Sequence, residues 1–190
     1  MLLYICEHFP QTVLWKDLMV ISLRKELVIT RMKRILVFSD THDDLRLCRK
    51  IIKNIPSDLI IHSGDYVSDA QRLRQEFTER ELLYVKGNCD MLAYAPDEEI
   101  VELGGVKIYI VHGHRHSVKF EDQYKTLARA AREAGCRAAV FGHTHVSYCR
   151  DEDGLLLLNP GSSKYGGSYG VIEIENEEPS ACVIHDQMMF

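Results

Sequence analysis

The stretch VFGHTHVSY, residues 140–148, joins the two features that decide the fold and the chemistry of this chain. Its first residues form an apolar run that ends at Gly142, and His143 and His145 follow on either side of a threonine. A short apolar run bounded by glycine is typical of a buried strand. Packing alone gives no reason for two imidazoles at the end of such a strand, so the stretch also indicates a functional site.

Four other apolar runs end in the same way, with Asp, Asn or His side chains directly after the run. In open α/β sheets, ligands gather outside the carboxyl ends of the strands. We therefore expect the five strand ends to supply one common rim. The four additional motifs are Ser39-Asp40-Thr41-His42, His62-Ser63-Gly64-Asp65, Lys86-Gly87-Asn88-Cys89-Asp90 and His112-Gly113-His114.

Strands alternate with helical stretches through the first half of the chain, and the second half is mostly strand. The order favours an α/β domain in which two packed sheets are flanked by helices. Gly104-Gly105 predicts a hairpin, and Gly135 predicts the end of a helix. The predicted helices are 43–54, 69–79 and 121–134, and the predicted strands are 34–39, 58–62, 82–85, 98–103, 106–111, 138–141, 146–150, 155–158, 169–175 and 181–185.

Composition limits the classes of function. The 190 residues are 46% hydrophobic, which suits a globular domain, and the net charge of −5 offers no basic surface for stable nucleic-acid binding. Six cysteines without a Cys-x-x-Cys pair indicate reduced thiols. No apolar run reaches the roughly 20 residues of a membrane helix, and the N-terminus lacks a signal-peptide pattern. We therefore expect a cytoplasmic protein without membrane association.

Residues 1–31 differ from the rest of the chain and are predicted to be an N-terminal extension. Pro10 can open a helix with one apolar stripe, which predicts a packing helix or a homodimer contact. Met32 directly precedes the first predicted strand of the alternating pattern. The working domain is therefore expected to cover residues 32–190.

The donor side chains of the five motifs suit divalent metal ions. On an extended chain, residues i and i+2 point the same way, so Asp40 with His42, and His143 with His145, can each aim two donors at one region. Carboxylate, amide and imidazole groups together suit Mn, Fe, Zn, Ni or Co. The number of donors exceeds the four of a tetrahedral zinc site and suits two metals that share a bridging carboxylate.

The motifs Asp-x-His, Gly-Asp, Gly-Asn-x-Asp, His-Gly-His and Gly-His-x-His, in this order, resemble the calcineurin-like metallophosphoesterase superfamily. The small bacterial and archaeal phosphodiesterase branch is the most similar, because it often carries Gly-Asn-Cys-Asp where larger phosphatases carry Gly-Asn-His-Asp. The resemblance covers roughly residues 33–175. It implies a four-layer α-β-β-α sandwich of two mixed β-sheets flanked by helices.

The same resemblance implies the metal ligands and the reaction. One metal would be held by Asp40, His42, Asp65 and His145, and the second by Asp65, Asn88, His112 and His143. Asn88 would also lie near a phosphoryl oxygen of the substrate. The implied function is hydrolysis of a small phosphodiester by a hydroxide that the two ions activate, with Mn favoured over Zn, Ni, Fe or Co.

One position departs from the pattern of the larger phosphatases. Their proton-donating histidine is replaced here by Cys89, a poor donor for an alkoxide. We assign the role of proton donor to His114 instead. The hydrolysis rate of diesters with good leaving groups should be reduced least by the replacement. The alternatives are a phosphomonoesterase or nucleotide pyrophosphohydrolase on the same site, and a non-catalytic protein-interaction scaffold. Loss of ligand histidines would indicate the scaffold, and this chain keeps all of them.

The remaining polar residues near the motifs are predicted to be structural. We expect a satisfied core histidine at His62, a surface histidine at His116 and a turn-capping carboxylate at Asp90. Two acidic residues, Asp43 and Asp44, are expected to cap the following helix. The loop that carries Ser162, Lys164 and Tyr165 is interpreted as a turn rather than a substrate contact.

Overall fold

The computed structural model describes residues 32–186, which form two five-stranded sheets. Three helices and a short 3₁₀ turn, Asp122–Tyr124, complete the described part of the chain. The helices are α1 (Arg46–Asn54), α2 (Val67–Glu76) and α3 (Lys125–Glu133). The strands are β1 (Lys33–Phe38), β2 (Leu59–His62), β3 (Leu82–Tyr84), β4 (Glu98–Leu103), β5 (Val106–Val111), β6 (Ala138–Val140), β7 (Tyr148–Glu152), β8 (Leu155–Asn159), β9 (Ser168–Glu175) and β10 (Glu178–His185).

Both sheets are mixed. The first has the strand order β10-β9-β1-β2-β3, with β1, β2 and β3 parallel and β9 antiparallel to β1. The second has the order β4-β5-β6-β8-β7, with β5, β6 and β8 parallel. The parallel strands of each sheet end at one edge, so the residues that follow β1, β2 and β3, or β5 and β6, leave their sheet side by side.

The alternation of side chains along β1 shows why the layers form. Ile35 and Val37 pack between the two sheets, whereas Leu36 and Phe38 pack under α1 and α2. Successive residues of a strand point to opposite faces, so a strand that is apolar throughout needs cover on both sides. On the outer face of the second sheet, α3 supplies that cover through residues such as Leu127. The predicted four-layer α-β-β-α sandwich is confirmed.

The predicted elements are present, with shifted ends. The first helix begins at Arg46 rather than at residue 43, because Asp43 has a left-handed backbone with φ of 67°. Asp43 therefore does not cap the helix, and its carboxylate pairs with Arg72 instead, while Asp44 accepts a hydrogen bond from the backbone N–H of Arg46 at 3.1 Å. Gly135, with φ of 71°, follows the last helix as predicted.

The predicted packing helix in residues 1–31, and any homodimer contact made by it, lie outside the described residues. The domain boundary at Met32 and the cytoplasmic location stay predictions. Within residues 32–186, no helix is both long enough and apolar enough to cross a membrane.

Candidate metal centre

The candidate site lies where the carboxyl ends of the central strands of both sheets meet. Backbone hydrogen bonds join neighbouring strand ends within each sheet, from the Asp40 N–H to the Gly64 carbonyl at 3.1 Å and from the Gly142 N–H to the His112 carbonyl at 3.0 Å. The two sheets are joined by the backbone N–H of His143, which donates to Asp40 Oδ2 at 3.2 Å. The common rim expected from the five motifs is therefore built from both sheets.

A candidate metal-binding group forms at the centre of this rim. One donor atom from each of Asp40, His42, Asp65 and His145 lies within 4.8 Å of every other one. Asp40 Oδ1 lies 3.1 Å from His145 Nε2. His42 Nε2 lies 3.4 Å from His145 Nε2 and 4.0 Å from Asp65 Oδ2. These four residues are the set that the resemblance assigned to one metal.

The other predicted donors adjoin this group through His112. Its Nε2 atom lies 3.5 Å from Asp65 Oδ1, 4.0 Å from Asp40 Oδ1 and 3.2 Å from Asn88 Oδ1. The ring centroid of His143 lies 5.1 Å from that of His112. Asp65 thus faces His42 with one oxygen and His112 with the other, which is the position that a bridging carboxylate would take.

His114, the predicted proton donor, lies at the edge of the donor cluster. Its ring centroid is 5.5 Å from that of His112 and 6.2 Å from that of His143. Its Nδ1 atom is buried and has no hydrogen-bond partner in the described part of the chain. The structure therefore brings together all the predicted site residues, with His114 beside the others rather than among them.

The local backbone differs from the extended chain that the sequence argument assumed. Asp40, His42, Asp65 and His145 have φ values of 53°, 44°, 57° and 60°, all in the left-handed region. His143 shares this conformation, with φ of 69°. Left-handed backbone at residues other than glycine costs roughly 1–3 kcal/mol each and clusters at functional sites. Asp40 and His42 converge as predicted, but left-handed backbone rather than extended chain brings their side chains together.

Because their backbone is also left-handed, the side chains of His143 and His145 point to different neighbours. The ring of His145 lies against those of His42 and Tyr165, with centroids 5.2 Å and 5.6 Å away. The ring of His143 lies against His112 instead. The ring of His145 therefore lies beside His42, and the ring of His143 lies beside His112.

Two glycines allow the carboxylates to sit where they do. A Cβ atom at Gly87 would lie 2.0 Å from Asp65 Oδ1 and 2.5 Å from the Asp65 backbone nitrogen. A Cβ atom at Gly142 would lie 2.0 Å from Ser39 Oγ and 2.7 Å from Asp40 Oδ2. A side chain at either position would therefore displace a carboxylate of the cluster.

The surroundings of one atom, Asp40 Oδ1, indicate whether the residues fit a cation. Asp40 is fully buried, and its Oδ2 accepts hydrogen bonds from Ser39 Oγ at 2.6 Å and from the His143 N–H. Within residues 32–186 its Oδ1 accepts no hydrogen bond, although His145 Nε2 lies 3.1 Å away. A buried carboxylate oxygen without a partner is costly unless an ion or another donor satisfies it. The donor set around Asp40 Oδ1 therefore fits a divalent cation.

The charges of the side chains agree with this fit. Burial opposes ionisation of Asp40 and Asp65, but hydrogen bonds and the charge of His112 outweigh it, so both pKa values lie below the ordinary value. Burial lowers the pKa of His42, and it lowers the pKa of His143 to about 4. Ionised carboxylates and neutral imidazoles are the protonation states that metal ligands need, and these shifts favour them at Asp40, Asp65, His42 and His143.

His112 is oriented from behind by the backbone. Its Nδ1 donates a hydrogen bond to the Ser63 carbonyl at 2.9 Å, which leaves Nε2 facing Asp65 and Asn88. Burial alone would lower the pKa of His112, but the hydrogen bond with Asp65 and the charge of Asp40 raise it overall. Metal-ligating histidines are commonly fixed by a carbonyl or carboxylate on the other ring nitrogen.

Cys89 and Asp90 support the bridging carboxylate. The backbone N–H of Cys89 donates to Asp65 Oδ1 at 2.9 Å, and its thiol contacts Asp65 Oδ2 at 3.3 Å. Burial and the neighbouring carboxylate raise the pKa of the Cys89 thiol to about 11. Asp90 accepts hydrogen bonds from the backbone N–H groups of Val67 and Gly87, as its turn-capping prediction requires.

A buried network behind the site fixes Thr41, between Asp40 and His42. The Thr41 hydroxyl donates to Asp69 Oδ2 at 2.8 Å, so the 3.0 Å contact with His62 Nε2 is a donation from the imidazole. His62 is fully buried, as expected of a core histidine. The fully buried Asp69 was missed, because nothing in its position early in a charged helix distinguishes it from a solvent-exposed residue.

The loop after β8 contributes more than the plain turn that was expected. Ser162 Oγ donates to the Asp40 carbonyl at 2.8 Å, and Lys164 Nζ donates to the His42 carbonyl at 2.9 Å. The ring of Tyr165 is stacked on His145 at an interplanar angle of 20° and lies 5.3 Å from His42. This loop therefore contacts three donor residues, Asp40, His42 and His145, each of which lies outside the loop.

His116 differs from its prediction as a surface residue. It is half buried, and its ring lies edge-on to Tyr109 with centroids 5.9 Å apart. The hydroxyl of Tyr109 donates a short hydrogen bond to Glu98 and contacts His116 Nε2. The side chain points back toward β4 and β5 because the turn after Gly113 reverses the chain.

This fold and this donor cluster define a class of protein. Residues 32–177 match the model of the calcineurin-like phosphoesterase superfamily domain. The chain therefore belongs to that superfamily, as its motifs indicated.

Individual relatives agree with the class. A probable metallophosphoesterase from Bacillus subtilis is 31% identical over 153 residues, which cover 75% of this chain and 85% of the relative. A phosphodiesterase from Methanocaldococcus jannaschii is 30% identical over 142 residues, covering 66% of this chain and 81% of the relative. The solved structure of a predicted phosphoesterase from Streptococcus pneumoniae has a TM-score of 0.67 at 26% identity, covering 82% of this chain and 90% of that one.

Proposed function

We propose that this protein hydrolyses phosphodiester bonds with two divalent metal ions held by its cluster of carboxylate, amide and imidazole donors. The observation that carries the proposal is the buried Asp40 Oδ1, which accepts no hydrogen bond within residues 32–186 and lies 3.1 Å from His145 Nε2 and 4.0 Å from His112 Nε2. The similarity to a phosphodiesterase of Methanocaldococcus jannaschii supports the diester as substrate.

We assign the proposed ligands to two ions from the contacts that the two Asp65 oxygens make. Asp65 Oδ2 faces His42, which lies beside His145, and Asp65 Oδ1 faces His112, which lies beside Asn88 and His143. We assign Asp40, His42 and His145 to the first ion and Asn88, His112 and His143 to the second. When bound, divalent cations supply a nucleophile derived from water at neutral pH and compensate charge on phosphoryl oxygens. Carboxylate, amide and imidazole ligands together suit manganese, zinc, nickel, iron and cobalt, and we propose manganese among them.

Asn88 has two polar groups with different tasks. Its Oδ1 atom faces His112 Nε2 at 3.2 Å and is the ligand atom. Its Nδ2 group makes a weak contact with Cys89 Sγ at 3.5 Å, and the side chain is exposed. The amide N–H groups are thus able to donate to a phosphoryl oxygen as negative charge develops there.

Proton delivery to the leaving oxygen is assigned to His114. Cys89 is unsuited to it, because its pKa is raised to about 11 and its thiol already contacts Asp65. Burial lowers the pKa of His114, so its protonated form is the minor one at neutral pH. Substrates with good leaving groups, which need least help from an acid, should therefore be the best substrates.

Replacement of His114 tests this assignment. We expect His114→Ala to lower kcat roughly a hundredfold for a diester with an alkoxide leaving group, and only a few-fold for a p-nitrophenyl leaving group. Steady-state rates on methyl p-nitrophenyl phosphate and on an alkyl diester would measure both effects. Equal losses on the two substrates would rule out proton donation by His114.

Metal reconstitution tests the proposed reaction. Protein stripped by a chelator and supplied with Mn²⁺ should hydrolyse bis(p-nitrophenyl) phosphate faster than p-nitrophenyl phosphate. Faster turnover of the monoester would assign the same site to a phosphomonoesterase, and a preference for nucleoside diphosphates would assign it to a pyrophosphohydrolase. Metal binding without turnover of any ester would favour a non-catalytic scaffold.

A further inference from the structure

A cavity of about 620 Å³ adjoins the proposed metal centre at Asn88. It lies between the start of α2 and the loop that follows β3. Asn88 belongs both to its wall and to the donor cluster, so a group in the cavity would be continuous with a phosphate at the metals. The other lining residues are Val67, Ser68, Gln71, Cys89, Asp90, Met91, Leu92, Ala93 and Tyr94.

Three large apolar side chains of this loop are turned to solvent. Met91 is 85% exposed, and Leu92 and Tyr94 are fully exposed. Exposed apolar residues are common singly, but a contiguous group beside a polar site marks a binding surface. These three side chains contribute nothing to the core clusters of the domain, so their placement beside Asn88 needs another reason.

The loop that carries them is held in place by its backbone. Asp90 accepts hydrogen bonds from the N–H groups of Gly87 and Val67, and its own carbonyl accepts one from Ala93 at 2.9 Å. Farther along, the Lys86 N–H donates to the Pro96 carbonyl at 2.9 Å. Preorganisation of the loop backbone lowers the entropic cost of binding, because the positions at which these side chains leave the loop are fixed before a ligand arrives.

The chemistry of the lining selects an uncharged group. Ser68 and Gln71 offer neutral polar atoms, and the one carboxylate, that of Asp90, is buried with both oxygens already hydrogen-bonded. Among residues 32–186, no lysine or arginine lines this cavity. An additional phosphate would find no cation there, whereas an aromatic ring would find apolar surface.

We propose that this cavity binds an uncharged aromatic arm of the phosphodiester, with Met91, Leu92 and Tyr94 in contact with the ring. The inference rests on the proposed function only for the position of the phosphate beside Asn88. It names the class of substrate: a diester that carries at least one aryl or similarly flat, neutral group.

Binding of diphenyl phosphate, followed by NMR, tests the subsite with a readout that does not depend on a hydrolysis rate. Protein labelled with ¹³C-methyl methionine and supplied with Zn²⁺ would be titrated with diphenyl phosphate and, separately, with dimethyl phosphate. A Met91→Leu variant assigns the Met91 signal. We expect a saturable shift of that signal with diphenyl phosphate and none with dimethyl phosphate at the same concentration.

Two variants make the test specific. Leu92→Ser should weaken the binding of diphenyl phosphate about tenfold, because it removes most of one apolar contact. Ile100→Ser changes an exposed apolar residue of β4 outside the cavity and should leave the affinity unchanged. An unshifted Met91 signal, or equal affinity in the Leu92→Ser variant and the original protein, would overturn the subsite.

The outcomes for the subsite and for the proposed function can be told apart. A Met91 shift without any hydrolysis of bis(p-nitrophenyl) phosphate would support the subsite and overturn the function. Hydrolysis of that diester without a Met91 shift would support the function and overturn the subsite.

Discussion

At the scale of single residues, Asp40 is the most constrained member of the cluster. One carboxylate oxygen accepts hydrogen bonds from Ser39 and His143, and the other accepts none from the described residues and lies 3.1 Å from His145 Nε2. The backbone carbonyl of the same residue accepts a hydrogen bond from Ser162. The backbone N–H, the backbone carbonyl and Oδ2 of Asp40 therefore all make hydrogen bonds, and Oδ1 points into the candidate metal site.

Neutralising this carboxylate should greatly weaken metal binding with little change to the fold. We expect Asp40→Asn to weaken Mn²⁺ binding roughly a hundredfold or more, because it removes a full charge from the cluster. Isothermal titration calorimetry measures this loss. Asp43→Asn is a matched control, because Asp43 is nearby and exposed and pairs with Arg72 instead. Similar Mn²⁺ affinity in the two variants would contradict the assignment.

His62 gives the metal-free protein a pH dependence of its own. Burial lowers the pKa of this imidazole to about 4, whereas in the unfolded chain it returns to about 6.5. As the pH falls through this window, the unfolded state takes up the proton first, so stability is lost. We expect this residue alone to lower the free energy of unfolding by about 3 kcal/mol between pH 6.5 and 4.

Urea denaturation in the presence of a chelator measures that loss. His62→Asn should unfold with a shallower dependence on pH across the window, although it is less stable at neutral pH. His185→Asn, a change at an exposed histidine, should keep the original dependence. The same pH slope in both variants would show that His62 does not titrate as described.

At the scale of elements, Gly87 allows the turn after β3 to lie directly against Asp65. We expect Gly87→Ala to weaken Mn²⁺ binding at least about tenfold and to cost roughly 1–3 kcal/mol of stability, because the new Cβ would clash with the Asp65 carboxylate and backbone. Calorimetry and thermal unfolding would measure the two effects.

A second glycine variant distinguishes a general loss of stability from a specific loss of Mn²⁺ affinity. Gly154 has φ of 79°, and a Cβ atom there would meet nothing within 4 Å. Gly154→Ala should therefore lower stability by about 1 kcal/mol through backbone strain alone and leave Mn²⁺ affinity unchanged. If both glycine variants lost the same affinity, the effect at Gly87 would be general destabilisation.

The elements also show what the sequence can and cannot predict. Strand ends that carry Asp, Asn or His predicted the meeting of five motifs, because parallel strands finish at a common edge. The left-handed backbone at Asp40 and Asp65 was not predictable, since contacts from other strands impose it. The stacking of Tyr165 on His145 was also missed, because a short Gly/Ser-rich loop carries no periodic pattern that fixes its direction.

At the scale of the whole molecule, the donors come from both sheets. Asp40, His42, Asp65 and Asn88 follow strands of the first sheet, whereas His112, His143 and His145 follow strands of the second. Apart from the donors, apolar side chains hold the sheets together. A cation bound by both sets would link the two halves of the sandwich, and its binding energy would add to the stability of the fold.

Metal should therefore raise the unfolding temperature of the whole domain. At a free Mn²⁺ concentration of about 100 times Kd, the gain of about 2.7 kcal/mol corresponds to a rise in Tm of roughly 5–10 °C. Differential scanning calorimetry with and without a chelator measures it. The Asp40→Asn variant should show no comparable rise, and an unchanged Tm in the original protein would contradict a site shared by both sheets.

The most direct test of the two-metal centre is a crystal structure of the Mn²⁺-loaded protein with anomalous scattering recorded at the manganese edge. We predict two anomalous peaks per chain about 3.5–4 Å apart, with Asp65 bound to both ions. Asp40, His42 and His145 should complete one coordination sphere, and Asn88, His112 and His143 the other. A single peak, or two peaks that do not share Asp65, would contradict the proposed centre.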